Sequence, residues 1–221
     1  MIIKTKHFEF EKVNFKNLEQ LRLLRNSRVV QNHLVHKGEV SAEQQIEWFK
    51  KEDTVANHYF LSKQNGNVIG YCVLRHIDYK DYSAEPGTFI ANEDLFDSSL
   101  GALYMISFLD VCRFLFGIKK FFGNVLNTNN RALTNYQWFG ANKSKGATEQ
   151  EIILTEHETQ SYEQSTEKIR KALKTIYGYE FDLTITMDRL IDEEECRDFF
   201  LRLAKQLPEE KRGRMKLEIL N

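Results

Sequence analysis

The sequence predicts an α/β or α+β fold with one central sheet flanked by helices. Strand and helix patterns follow one another in mixed order rather than in separate blocks. Asn65-Gly66 lies between two apolar runs, which is the strongest short-range signal for a hairpin of antiparallel strands. The run from Leu100 to Phe116 is apolar nearly all round, as expected of a helix buried against a sheet.

The first third of the chain carries clear start signals for helices. Asn17 is the expected cap of a first helix, because leucines recur after it at the spacing of one helical face. Ser41 and Gln44 have the form of a capping box before a second helix. The elements predicted here are a strand over 8–13, a helix from 18, a helix over 42–51 and hairpin strands over 58–63 and 68–75.

The next strand, over 85–91, contains Pro86. Proline cannot donate to a ladder, so Pro86 is expected at the first residues of the strand or at a bulge. Gly117 is the expected left-handed cap of the long apolar helix. The elements predicted after it are a strand over 120–126, a short helix over 130–139, a strand over 151–156, a helix over 163–175, a strand over 181–185 and a last amphipathic helix from 192, closed by Pro208 and followed by a charged tail.

Composition sets the broad class of protein. The 221 residues, 42% of them hydrophobic, can bury one substantial core, and we expect a domain over 1–162 with an extension over 163–221. Lysine and arginine total 31 against 32 acidic residues, which gives no basic excess for nucleic acid. The most apolar run is too short for a bilayer span and contains Asp110 and Arg113, so no membrane contact is expected.

The cysteines indicate the compartment. Cys72, Cys112 and Cys196 are far apart and odd in number, with neither a metal-ligand spacing nor a disulfide framework among them. The first residues are charged too early to form the core of a signal peptide. These features predict a cytoplasmic protein without a bound metal.

The most informative motif lies over 129–140, with the pattern Asn-x-x-Ala-x-x-x-Tyr-x-x-x-Gly after a predicted strand. It resembles the acetyl-CoA-binding segment of the GCN5-related N-acetyltransferases. The resemblance covers roughly residues 8–163. It implies a mixed, mostly antiparallel sheet, acetyl-CoA as co-substrate and a small-molecule amine as acceptor.

The resemblance also implies catalytic roles. The hydroxyl of Tyr136 would point at the thioester sulfur and protonate the leaving thiolate, for which an ordinary phenol pKa of about 10 is reasonably matched. A partly buried aromatic that only packs the short helix is the alternative. Glu85 is the candidate base, with a solvated glutamate at a strand end as the alternative. His76 is a second candidate, since histidine titrates near neutrality.

The segment before the long helix departs from the family pattern Gln/Arg-x-x-Gly-x-Gly/Ala, whose backbone N–H groups hold the pyrophosphate. Residues 96–102 correspond to it. If Ala102 takes the last position, Leu100 stands where glycine is expected and Asp97 where a basic or amide residue is expected. Asp97 would then add a repulsive charge beside the pyrophosphate.

In the other alignment Gly101 takes the last position, and Ser99 and Phe96 occupy those two places. Ser98 and Ser99 could still donate hydroxyls to the pyrophosphate. The residues expected to bind the cofactor are Phe89, Ile90, Ser98, Ser99, Leu100, Gly101, Ala102 and Asn129.

The segments 24–30, 41–49 and 58–70 look like the branch that contains the ribosomal-protein alanine acetyltransferases. Within that branch they look most like enzymes that acetylate the 4-amino group of a nucleotide-linked sugar on the way to pseudaminic acid. Arg25 and Asn26 would then lie near the acceptor, together with His76. Taken alone, Arg25 and Asn26 are an ordinary polar helix end.

Two classes of function stay open on the sequence. One is an acetyl-CoA-dependent N-acetyltransferase that acts on an amine, either of a nucleotide-linked amino sugar or of a protein N-terminus. The other is a catalytically silent interaction module with the same fold. The carboxy-terminal helices could serve a partner or a second copy of the chain, which would give a homodimer.

Overall fold

The computed structural model describes residues 1–34, 38–145, 151–188, 198, 201–202 and 213–220, with only the backbone at 143–145 and 151–160. Its strands are β1 (Ile2–Lys4), β2 (Glu9–Lys12), β3 (His58–Gln64), β4 (Asn67–Asp78), β5 (Ser83–Ile90), β6 (Lys120–Leu126), β7 (Lys143–Lys145), β8 (Glu151–Glu158), β9 (Leu183–Asp188) and β10 (Met215–Leu220). Its α-helices are α1 (Leu18–Asn26), α2 (Arg28–Gln31), α3 (Ala42–Glu52), α4 (Ser99–Asp110), α5 (Asn130–Trp138) and α6 (Thr159–Tyr177).

The strands join into one sheet in the order β10-β9-β1-β2-β3-β4-β5-β6-β8-β7. Among the described strands, β9 pairs with β10 and β5 with β6 in parallel, and every other pair is antiparallel. The structure therefore confirms a mixed, mostly antiparallel central sheet. A long, continuous antiparallel region ends at the β5–β6 pair.

Helices cover both faces of this sheet. Because successive side chains of a strand point to opposite faces, Cys72 and Leu74 lie in one core while Tyr71 and Val73 lie in the other. The larger core holds α4 and α6, and the smaller holds α1, α2 and α3. The predicted buried helix is thus correctly placed against the middle of the sheet.

Local sequence signals explain most of the elements. Asn65 and Gly66 both have positive φ angles, 50° and 79°, as a two-residue hairpin turn requires. The side chain of Ser41 accepts a hydrogen bond from the backbone of Gln44, which completes the predicted capping box. Asn17 differs from the prediction: its side chain accepts from the N–H of Asn14 in the preceding turn and makes no cap hydrogen bond.

The long apolar helix is shorter than predicted. α4 ends at Asp110 and continues into a π-helical turn, Val111–Leu115, before Gly117 reverses the chain with a φ of 71°. The glycine cap is confirmed. A run of apolar residues does not by itself reveal such a change of helix type.

The residues after 162 build onto the same sheet and core. Tyr162 and Leu173 of α6 lie in the larger core, and β9 pairs with the amino-terminal strand β1. The tail after Pro208 was predicted to be only a charged segment, which is wrong in part, because Met215–Leu220 form β10. The predicted last helix, from 192, lies almost entirely outside the described residues. In the part of the chain that is described, no helix is long and apolar enough to cross a membrane.

Candidate active site

A cleft opens where β5 and β6 separate. These parallel strands pair only at Ser83 with Lys120 and at Ala84 with Phe121. Beyond those residues β5 continues beside β4, while β6 continues beside β8. The divergence leaves one side of β5 facing a gap rather than a neighbouring strand.

Pro86 is the fourth residue of β5, further inside the strand than predicted. Its carbonyl oxygen accepts a hydrogen bond from the hydroxyl of Tyr136 at 3.1 Å, so its backbone faces the gap. A strand tolerates proline on a side without a partner, because no ladder hydrogen bond is lost there. Since backbone groups alternate along a strand, the N–H and C=O of Thr88 face the same gap.

Helix α5 places Tyr136 in the cleft. Its start is fixed by Asn129, whose side chain accepts from the N–H of Ala132 at 3.1 Å. Leu133 is buried and packs with Val125 of β6 in a small cluster of its own, which holds the helix against the sheet. Gly140, with a φ of 87°, ends the segment. The motif found in the sequence therefore does form a short capped helix after a strand.

The surroundings of Tyr136 favour its protonated form. Burial raises the pKa of the phenol, and the negative charge of Glu85 raises it further. A Cβ added at Gly123 on β6 would lie 3.7 Å from the Tyr136 hydroxyl and 4.0 Å from Cγ of Glu85. The phenol and the carboxylate therefore approach the same point of the sheet, and the phenol is a proton donor at neutral pH.

Glu85 belongs to a cluster of charged groups at a β-bulge. The register of β4 and β5 shifts between Arg75 and Asp78, and His76 takes a φ of 53° there. Both Arg75 and His76 consequently reach the carboxylate, with Nη2 of Arg75 at 3.1 Å and Nε2 of His76 at 3.5 Å. Glu85 itself is only 8% exposed.

The start of α4 forms one end of the cleft. The hydroxyl of Ser98 accepts from the N–H of Gly101 at 3.0 Å and donates to the carbonyl of Leu95. Gly101 is required here, because a Cβ at this position would lie 2.1 Å from that carbonyl oxygen. The hydroxyl of Ser99 lies 2.7 Å from that of Tyr177. The predicted hydroxyl donors are thus engaged with protein groups, and the backbone N–H groups of the first turn are the donors that α4 offers.

Asp97 lies beside that first turn and is paired with Arg131 of α5. Nε of Arg131 is 3.0 Å from Oδ1 and Nη2 is 3.1 Å from Oδ2. The same guanidinium lies 4.1 Å from the centre of the Phe96 ring. The expected repulsive charge at this position therefore has a direct counter-ion across the mouth of the cleft.

Most of these groups line one cavity of about 710 Å³. It brings together most of the predicted site residues: Glu85, Phe89, Ile90, Ser98, Ser99, Gly101, Ala102, Asn129 and Tyr136. Four predicted residues are not in its lining: Arg25, Asn26, His76 and Leu100.

The structure shows other positions for those four residues. Leu100 packs against the larger core. Both ends of the Asn26 amide bind the backbone of Val40, and Arg25 precedes it outside the lining. His76 is an exposed neighbour of Glu85 outside the lining.

Two arginines in the lining were not identified from the sequence. Arg75 directly precedes His76 at the end of a predicted strand, and Arg131 lies inside the quoted motif. The position of Arg131 two residues after Asn129 was a usable signal. The position of each arginine in the sequence does not identify its acidic partner, because Glu85, the partner of Arg75, and Asp97, the partner of Arg131, come from other parts of the chain.

The sheet and its cleft have a fold like that of the GCN5-related N-acetyltransferases (GNAT-like), which solved N-acetyltransferase structures share. A spermidine N-acetyltransferase from Vibrio cholerae, solved in complex with CoA and spermine, superimposes with a TM-score of 0.61 at 20% identity, over 72% of this chain and 99% of that one. Mutant forms of the spermidine/spermine N-acetyltransferase from the same organism give 0.59 at 19% identity, over 73% and 99%. A domain from Methanocaldococcus jannaschii gives 0.57 at 18% identity, over 68% and 97%. No family model and no curated protein matches the sequence.

The residues present fit a CoA thioester as co-substrate. The cleft has the volume of an ordinary ligand pocket, roughly 300–1,000 Å³. Its lining includes the first turn of α4 and the cation Arg131, which are groups that can hold phosphates, and the phenol of Tyr136, which can donate a proton. The backbone of Thr88, which also lines the cavity, can pair with amide groups of a ligand.

Proposed function

We propose that this protein transfers an acetyl group from acetyl-CoA to a primary amine. The observation that carries the proposal is the divergence of β5 and β6 at the point where Tyr136 and Glu85 face one gap. Positioning both groups beside a bound thioester removes much of the barrier to acyl transfer.

The two side chains have complementary roles. An ammonium must lose a proton before its nitrogen attacks, and Glu85 accepts that proton directly or through water. The new carbon–nitrogen bond replaces the carbon–sulfur bond, and Tyr136 donates its phenolic proton to the departing thiolate. Amide formation releases a second proton from the nitrogen, which restores the phenol through solvent. Of the two protons, one ends on the thiol and one in solvent.

The charges that line the cavity bear on the chemical class of the acceptor. The described lining of the cavity contains two carboxylates, Glu85 and Asp97, and each is paired with an arginine. A polyamine such as spermine would carry further ammonium groups into a cavity without an unpaired carboxylate among these residues. We therefore favour an amine on a neutral or anionic body, and the sequence resemblance suggests a nucleotide-linked amino sugar.

The test of the reaction is Tyr136→Phe. We expect kcat to fall by about 100-fold or more, as for the loss of a general acid, because only the leaving thiolate loses its proton donor. The dissociation constant for acetyl-CoA should stay within about twofold, because the phenol acts in the transition state. Thiol release measures the first quantity and calorimetry the second.

Tyr79→Phe is the matched control. Its hydroxyl donates to the carbonyl of Val55, outside the cavity lining, so turnover should equal that of the parent. Equal turnover in Tyr136→Phe and the parent would remove Tyr136 from the mechanism. A parent protein whose thermal unfolding does not respond to millimolar acetyl-CoA would support the silent interaction module instead.

The acceptor is tested with a panel of amines. A nucleotide-linked 4-amino sugar, a peptide with a free N-terminus and spermidine are compared by kcat/KM. We expect the nucleotide sugar to be the best substrate and spermidine the poorest. Preference for spermidine would contradict the acceptor proposal and leave the reaction class unchanged.

A further inference from the structure

The ion pair between Asp97 and Arg131 bridges the mouth of the candidate cleft. Asp97 belongs to the loop before α4 and Arg131 to the first turn of α5, so the pair joins the two walls. Both residues line the cavity. A ligand that enters between these walls meets a guanidinium already occupied by a carboxylate.

The contact has the geometry of anion recognition. A guanidinium presents parallel N–H donors in a plane, and carboxylates and phosphates are the groups that match this fork. Arg131 uses Nε and Nη2 on the two oxygens of Asp97. The Phe96 ring, whose centre lies 4.1 Å from the guanidinium carbon, adds a cation–π contact that favours this placement. Arg131 is therefore held in an orientation that suits either kind of anion.

The aspartate is held in place by its backbone. Asp97 has a φ of 53°, in the left-handed region that aspartate tolerates better than most residues. The next residue, Ser98, caps α4. The carboxylate of Asp97 therefore lies close to the N-terminal end of α4, where the helix dipole favours negative charge.

We infer that Asp97 is an internal counter-ion that competes with a phosphate of acetyl-CoA for Arg131. The inference rests on the proposed function. Cofactor binding exchanges one anion on Arg131 for another, and the protein gives up the contact with Asp97 in return. The side chains of Arg131 and Asp97 are 36% and 73% exposed, so the contact is easily exchanged.

Dissociation constants measured by calorimetry test the exchange. For Asp97→Asn we expect acetyl-CoA to bind about three- to five-fold more tightly, the range that removal of an exposed ion pair can change. For Arg131→Gln we expect binding to weaken about ten-fold or more, because a charged hydrogen-bond partner of the phosphate is lost. In the double variant the effect of Asp97→Asn should vanish.

Two controls isolate the phosphate. S-acetylpantetheine lacks every phosphate, and its dissociation constant should be the same in the parent, Asp97→Asn and Arg131→Gln. Asp94→Asn removes an acidic residue three positions away that is exposed and not part of the cavity lining, and it should leave acetyl-CoA affinity unchanged.

The outcomes are distinguishable. If acetyl-CoA binds and Asp97→Asn leaves its affinity unchanged or weaker, the internal counter-ion is disproved while the proposed function stands. The same holds if Arg131→Gln binds acetyl-CoA as the parent does. If the parent binds neither acetyl-CoA nor S-acetylpantetheine, the proposed function and this inference both fail.

Discussion

Two arginine–aspartate pairs in this molecule have the same chemistry and opposite settings. Asp110 of α4 is 0% exposed and accepts from Nη1 and Nη2 of Arg170 of α6 at 2.7 and 2.5 Å. Asp97 and Arg131 form a similar two-oxygen contact at the mouth of the cleft, largely in water. The carboxylate of the first pair is fully buried and its arginine is 26% exposed, whereas the carboxylate of the second pair is 73% exposed and lies where a ligand would enter.

The surroundings of the buried pair show what the difference means. The hydroxyls of Tyr162 and Tyr179 also donate to Asp110, at 3.1 and 2.6 Å. Burial raises the pKa of both phenols and the charge of Asp110 raises them further, so they stay protonated donors. A buried carboxylate needs all these partners, whereas an exposed one can exchange its partner for water or another anion. Burial therefore separates a structural pair from an exchangeable one.

The largest expected effect is that of Asp110→Asn on stability. It leaves the guanidinium of Arg170, whose side chain is 26% exposed, without its counter-charge. Breaking a fully buried pair costs about 3–5 kcal/mol, and we expect a loss near the lower end of that range because water reaches part of the guanidinium. The free energy of unfolding, from urea titration, measures the change. A loss of less than about 1 kcal/mol would place this pair in the same class as the exposed one.

His58 tests the effect of burial on a group that titrates near neutrality. Burial lowers its pKa from 6.5 to about 3, with a smaller contribution from the charge of Lys12. Below pH 6.5 the His58 imidazole therefore binds a proton in the unfolded chain but stays neutral in the folded chain. The free energy of unfolding should fall as pH falls, by about 2 kcal/mol between pH 7.5 and 5 from this one group.

The comparison is between slopes against pH, so a less stable variant is still informative. His58→Phe, beside the ring of Phe116, should lose that part of the dependence. His76→Gln replaces an exposed histidine and should keep it. Parallel curves for the parent and His58→Phe would show that His58 is not held neutral by burial.

The smallest expected effect is that of Asp97→Asn on stability. The exposed pair contributes less than about 1 kcal/mol to the free energy of unfolding. The difference from the parent should disappear in about 1 M salt, which screens exposed charges over a few ångströms. A loss comparable to that of Asp110→Asn would show that the pair at the cleft mouth is structural and would blur the contrast between the two settings.

Local signals made much of the fold predictable. The hairpin follows from Asn65-Gly66, and the capping box follows from Ser41 and Gln44. Both could be predicted because the residues that interact are only a few positions apart in the sequence. Asn129 caps α5 as its position after a strand indicated. Most strands and helices of the first 145 residues were consequently predicted close to their observed bounds. The exceptions are β1, β7 and the short α2, which were not predicted, and α4, which ends at Asp110 rather than near Phe116.

The site depended on contacts that sequence spacing does not encode. The bulge that brings Arg75 and His76 to one carboxylate is set by the pairing of β4 with β5. The partner of Asp97 lies 34 residues further along the chain, and no local pattern joins the two. The motif over 129–140 was therefore enough to single out Tyr136 as a candidate, whereas the ion pairs around it became visible only in the three-dimensional structure.

The pairing of β1 has a consequence for synthesis of the chain. β1 lies between β2 and β9, and Ile3 is opposite Ile185. During translation the first strand has only one neighbour until the segment that forms β9 leaves the ribosome, so one of its edges stays open for most of that time. A nascent chain that stalls before β9 would expose this edge, and we expect chaperones that bind extended segments to engage it there.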